Sequence, residues 1–295
     1  MARAQLAAVS DPGAAETLAE EGLALCREEG ERFWTAVALN LLSEIAWQTG
    51  RAVQAAARAD QALSVAQAAG DGWNEGYALG TRAAMAARAG KLREAEQLAS
   101  ASVAVMRRID QWWGVARVLL GLGDLARLRA HPGEAHDHYV EALSILEEVG
   151  ARPEIARCLA GLGRVALDLG AVEQARRHLI RSLKLSQATG TRIGVVRGLE
   201  ALATLAVREK QPERAVQVAA AAAALRESAG VPPLPHARTE TYLASARHLG
   251  EPAVARLWAQ GLALSSEAAV ALAIDTRPPK AADGATRPLT IVGDE

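Results

Sequence analysis

Two stretches of this chain have residue types and spacing suited to a dinucleotide: GLGDLA at 121–126 and GLGRVA at 161–166, both of the form G-x-G-x-x-A. Glycines so placed let a backbone turn tightly against a pyrophosphate, whose charge is met by free N–H groups at a helix start. That chemistry needs a strand before the loop and a helix N-terminus after it. Here both stretches lie inside runs of helical periodicity, where backbone N–H groups are already bonded. Close helix packing accounts for the glycines, and no cofactor is expected. No G-x-x-x-x-G-K-[ST] run occurs, so the chain has no P-loop.

Four histidines invite a metal test. His131, His136 and His138 are close in sequence, with Glu134 and Asp137 between them, and His178 repeats the column of His138. Their spacing fits neither H-x-x-x-H nor H-E-x-x-H, so no metal is expected. No Ser/His/Asp or Cys/His set emerges, because every candidate falls on a position that packing explains. The expectation is a protein without catalytic residues. Cys26 and Cys158 sit far apart in helical patterns, as free thiols of a reducing cytosol do. Phe33, Trp73 and Trp113 share one column, flanked by Trp34 and Trp112. Aromatics there fill the seam between stacked units or offer a surface for ligand stacking.

The elements that hold these residues repeat. Residues 151–190 read as two amphipathic helices, with Leu159, Leu162, Val165, Ala166 and Leu169 on one stripe and Ala175, Leu179, Ser182, Leu183 and Leu185 on the other. Steps of 40 residues give units 31–70, 71–110, 111–150, 151–190 and 191–230 without a gap. Gly30, Gly70, Gly150, Gly190 and Gly230 end second helices, with Asp110 the one departure; Gly50, Gly90, Gly170 and Gly250 end first helices. Pro12, Pro132, Pro212 and Pro252 share the column that opens second helices. Ala55, Ala95, Ala135, Ala175 and Ala215 mark a close approach, and Leu39, Leu79, Leu119, Leu159 and Leu199 a core position. No unit can bury its apolar faces alone, so the units must stack. The predicted fold is all-α, a right-handed superhelical solenoid of helix-turn-helix repeats.

Residues 1–30 read as a partial repeat, as though the array began inside a unit. Residues 231–274 read as a degenerate repeat with a capping helix from Ser265, entered through the proline cluster VPPLPH, and 275–295 as a disordered tail. Half of the residues are apolar, with one Phe and three Tyr, which suits close-packed helices. The 33 basic and 34 acidic residues leave a net charge of −1, so no general attraction to nucleic acid or anionic membrane is expected. The longest apolar run, Val218 to Leu225, is far below the ~18–20 residues of a membrane span. A cytoplasmic location is expected.

Leu162-Gly163, Ala175 and Ser182, with Leu122-Gly123, Ala135 and Ala142, resemble the small-residue pattern of the tetratricopeptide repeat. Units of 40 rather than 34 residues look like the variant in MalT-like and LuxR-type transcriptional activators with a central ATPase. ALRESAGVPPLPHAR and LWAQGLALSSEAAVALAI resemble the closing segment of actinobacterial LuxR-type regulators, and Arg287-Pro288-Leu289-Thr290 the approach to their helix-turn-helix domain, before the chain departs as IVGDE. The resemblance covers the repeat portion of that family and neither its ATPase nor its DNA-binding domain.

The resemblance implies that first helices line a concave groove. Carried onto each unit, the groove holds Asn40, Tyr77, Arg117, Asp124, Arg127, Arg157, Arg164, Asp168, Arg197, Glu200 and Arg208. Arg117, Arg157 and Arg197, at 40-residue steps, form an expected ladder for carboxylates or peptide carbonyls. Alternatively each pairs with a local acid such as Glu154 or Glu200. The expected function is a protein-interaction or sensor module, its groove taking a protein, an acidic peptide or a small inducer, and its N-terminal end meeting an ATPase domain or another subunit.

Overall fold

The computed structural model describes residues 12–229 and 239–275. Among these are fourteen α-helices, one short 3-10 turn and no strand. Residues up to Ala201 and those from Leu202 onward form two compact units.

The first unit holds α1 (Pro12–Glu28), α2 (Arg32–Gln48), α3 (Ala52–Ala69), α4 (Gly72–Arg88), α5 (Leu92–Arg108), α6 (Trp112–Leu128), α7 (Pro132–Val149), α8 (Arg152–Asp168), α9 (Val172–Ala188) and the start of α10 (Arg192–Arg208). Each even-numbered helix packs antiparallel on the odd-numbered one that follows it, and each pair packs on the next. The result is a helical solenoid. Its turns obey the glycine columns. At Gly70 the backbone enters the left-handed region at φ 65°, and the next N–H, of Asp71, reaches back to Ala66 O at 2.9 Å. That conformation costs an L-residue about 1–2 kcal/mol, yet Asp110 (φ 54°), Ala130 (φ 59°) and Lys210 (φ 57°) adopt it too. The backbone demand is therefore constant where the residue type is not.

The alanine column explains how closely the helices approach. Ala55, Ala95, Ala135, Ala175 and Ala215 are all 0% exposed. Another column carries a hydrogen bond within two of the pairs: Ser102 Oγ donates to Gly76 O at 2.6 Å, and Ser182 Oγ to Ala156 O at 2.7 Å. Where that column is Ala62 or Ala142 the residue is buried with no polar group to satisfy. Leu39, Leu119, Leu159 and Leu199 are buried as their column predicts, each contributing about 1.5–3 kcal/mol.

Even-numbered helices of neighbouring pairs, α2 with α4, α4 with α6 and α6 with α8, also touch one another directly. Among the described residues, odd-numbered helices of neighbouring pairs do not approach so closely. They meet through ion pairs between long side chains instead, such as Arg107–Glu141 and Arg181–Glu147. The even-numbered helices therefore line the inner, shorter face of the first unit.

The second unit contains the rest of α10, α11 (Pro212–Ser228), α12 (Thr239–Ser245), the turn Arg247–Leu249, α13 (Glu251–Leu262) and α14 (Ser266–Ile274). Alanines dominate α11, so α13 crosses it closely. A Cβ on Gly261 would sit 2.3 Å from Gln217 O. Ser265 caps α14 by accepting from Ala268 N at 3.2 Å. The partial start at 1–10, the Gly230 stop, the proline cluster and the tail beyond Asp275 lie outside the described residues.

Candidate functional site

An inner helix has neighbours on both sides and a partner behind, so most of its circumference is apolar. In α8 this leaves Arg157, Arg164 and Asp168 as the stripe still open to solvent; Ala160 and Leu167 are buried. The equivalent stripe of α6 is Trp113, Arg117, Gly121, Asp124 and Leu128.

Neighbouring stripes are cross-linked by one recurring contact. A side chain in the Arg157 column reaches back 33 residues to the last turns of the preceding inner helix. Tyr77 donates to Glu44 Oε2 at 2.9 Å, and Arg157 donates to Asp124 Oδ2 at 2.8 Å. Arg117 finds Ala84 at that place, with no acid to accept. Its guanidinium instead lies over the Tyr77 ring, 4.2 Å from the centroid, and 5.7 Å from that of Trp113. Tyr77 in turn stacks on Trp73 at 5.6 Å and 25°. A second contact runs the other way: Arg127 Nε donates to Asp168 Oδ2 at 2.9 Å, and Arg88 lies 5.2 Å from the Trp47 ring by the same step. Arg164 Nε donates to the Ala160 carbonyl at 3.1 Å.

These contacts divide the groove. Around α8 the charges are matched. Between α4 and α6 a cation stands on aromatic rings, and among the described residues no carboxylate is bonded to it. A guanidinium so placed keeps its charge and its N–H donors available for a ligand. Burial, the largest influence, pushes the Tyr77 hydroxyl up to about 12, so the ring is neutral at physiological pH.

The Asp124 carboxylate also holds a residue that sequence reasoning missed. Tyr139, on outer helix α7 and 1% exposed, donates to Asp124 Oδ1 at 2.7 Å. Its ring runs between the two glycine motifs: a Cβ on Gly123 would lie 2.7 Å from it, and one on Gly161 2.5 Å. Those glycines make room for a tyrosine. Burial pushes the Asp124 carboxyl up, but Arg157, Arg164 and the Tyr139 hydroxyl together outweigh it and hold it below the ordinary carboxylate range. The signal was present, since Tyr139 is the one aromatic in a column of Ala59, Ala99, Leu179 and Ala219.

Two sequence expectations are corrected. Asn40 is not a groove residue: it is 3% exposed and its Nδ2 donates to Asn74 Oδ1 at 3.0 Å between α2 and α4. Asn74 extends this bridge to Asp71 and the Phe33 carbonyl. The arginine column is not a uniform ladder. Its first position, Val37, is buried, Arg117 is stacked and Arg157 is neutralised by Asp124 rather than by Glu154. Arg197 and Glu200 are partly exposed and both are engaged. Arg208 is exposed in the last turn of α10, in the second unit.

The aromatic column lies at the rim. Phe33 (44% exposed) meets Trp34 edge-on, and Trp113 remains 37% exposed. His131 and His136 sit beside Glu134 and Asp137 on their own helix. Among the described residues no group of three or more His, Cys, Asp or Glu side chains is placed to hold a metal. No helix among them is long and apolar enough to cross a membrane.

Residues 75–148 match the tetratricopeptide repeat family model. No curated protein sequence matches the chain. Solved structures do. BtubC (BKLC) from P. vanneervenii is 15% identical, with a TM-score of 0.60 over 77% of this chain and 95% of that one. The pilF protein of Pseudomonas aeruginosa is 18% identical, with a TM-score of 0.51 over 78% of this chain and 99% of that one. At such identities the likeness is one of fold: a tetratricopeptide-type helical solenoid.

Proposed function

We propose that the chain is a non-catalytic interaction module whose inner groove takes an extended segment of a protein partner. The observation that carries this reading is the stack Trp73–Tyr77–Arg117–Trp113 on α4 and α6, in which the Tyr77 hydroxyl is held by Glu44 while the Arg117 guanidinium rests on rings and, among the described residues, bonds no carboxylate. It suits an acidic or aromatic side chain of a peptide, while the paired charges around Asp124 and Asp168 fix the groove wall. The repeat match at residues 75–148 takes in Tyr77, Trp113 and Arg117 of this stack and supports a protein-binding role. In its finer form, the module is the sensing portion of a LuxR-type, MalT-like regulator, a reading supported by the resemblance of its C-terminal sequence. A second reading, a small planar anionic inducer, is favoured by the same stack.

Selection of peptides from a displayed random library, followed by calorimetry, tests the first reading. Arg117→Gln and Tyr77→Ala should each weaken the selected peptides, Arg117→Gln by about 1.5–3 kcal/mol for a charge-assisted hydrogen bond. Arg157→Gln should cost less, because its charge is already matched. Arg108→Gln and Arg93→Gln, on outer helix α5, are controls. Equal binding by wild type and Arg117→Gln would refute the groove. A thermal shift with small planar carboxylic acids and none with peptides would favour the inducer.

A further inference from the structure

The outer face of the α8–α9 pair carries a second surface that the groove reading does not use. An open cavity of about 820 Å³ lies there, with Arg152, Arg177, Arg181 and Lys184 around Ile180 and Leu185. Arg177 and Lys184 are exposed, one helical face apart by seven residues, so the cationic row is about 10 Å long. Among the described residues neither they nor Arg152 bonds a carboxylate. Arg181 holds Glu147 of α7 yet leaves 60% of its side chain exposed. The only acid of α9, Glu173, is engaged by Arg176. His178, between Arg177 and Arg181 in sequence, has its pKa lowered by burial first and then by the charges of those two arginines.

We infer that this cavity is a docking site for an acidic amphipathic helix of a protein partner. Charge complementarity requires an anion along the Arg177–Lys184 row. The half-buried Ile180 and Leu185 require an apolar stripe beside it. A helix with leucines flanked by glutamates presents both at matching pitch. A polyphosphate has no apolar face to cover the isoleucine and leucine, the bases of a polynucleotide find no aromatic ring in the lining to stack on, and a bilayer surface does not fill a concavity. The site is independent of the inner groove.

The test uses the full chain and a fluorescein-labelled amphipathic peptide of about five turns, with a Leu stripe edged by Glu. Its Glu-to-Gln counterpart is the control. The Leu/Glu peptide should bind, weaken with added salt and weaken about tenfold in Arg177→Gln/Lys184→Gln, whose circular dichroism stays unchanged. Ile180→Ser should weaken it as well. Arg27→Gln/Arg93→Gln removes two equally exposed charges elsewhere and should change affinity less than twofold. Tyr77→Ala should leave it unaltered, which separates this site from the groove. Equal binding of the Gln peptide, or no loss in the double variant, would overturn the inference. So would polyphosphate, single-stranded DNA or phosphatidylglycerol vesicles binding more tightly than the Leu/Glu peptide with the same variant sensitivity.

Discussion

The hydroxyl of Tyr139 reaches Asp124 Oδ1 at 2.7 Å, joining a buried side chain of an outer helix to the open wall of the groove. The same carboxylate accepts from Arg157 at 2.8 Å, so three helices meet on one acid. Packing and recognition are thereby coupled: the position of Asp124 is set from behind by a ring held between Gly123 and Gly161.

Gly161→Ala and Gly121→Ala should therefore part company, although they occupy one motif column. At Gly161 a Cβ meets the Tyr139 ring at 2.5 Å; at Gly121 it meets nothing within 4 Å. Overpacking should cost Gly161→Ala about 1–3 kcal/mol. Better helix propensity should stabilise Gly121→Ala by up to about 1 kcal/mol. Urea unfolding of both variants measures the difference.

Asp124 should also mark acid sensitivity. Its folded-state pKa lies below that of the unfolded chain, about 3.9. The carboxylate thus contributes stability above the unfolded value and loses it as pH falls through the lower folded one. Wild type should lose stability more steeply than Asp124→Asn below about pH 4. Parallel curves from thermal melts at stepped pH would show that the carboxylate is not held in this way.

The two thiols should differ in reactivity. Cys158 is buried, donates to the Tyr139 carbonyl at 2.9 Å and is pushed up to about 12 by burial. Cys26 is half-buried. Thiol titration at mild alkaline pH should label Cys26 in the folded protein and Cys158 only after denaturation.

Ala130→Gly should stabilise. Ala130 sits at φ 59° where other units place glycine, and glycine there relieves about 1 kcal/mol. A lowered melting temperature would mean that the lost unfolded-state entropy outweighs the strain.

These contrasts show how much a repeat reveals before its structure is known. Columns determined by one helix pair alone were legible: the glycine stops, Ala55 and its equivalents, Leu159 and its equivalents. Columns whose environment spans two units were not. Arg117 and Arg157 share a position, yet one finds Ala84 and the other Asp124 thirty-three residues earlier. Asn40 has the periodicity of a groove residue and is nonetheless buried, because Asn74 of the next inner helix closes over it. A single column gives an azimuth on a helix; what faces it is decided by a different column of the neighbouring unit.

The central claim is that an extended peptide segment binds the inner face. A selected peptide carrying a benzophenone, photo-cross-linked to the full chain and mapped by mass spectrometry, tests it most directly. The account predicts adducts on α4, α6 and α8, concentrated near Trp73, Tyr77, Trp113 and Gly121. Adducts confined to the outer helices α5, α7 and α9 would contradict it.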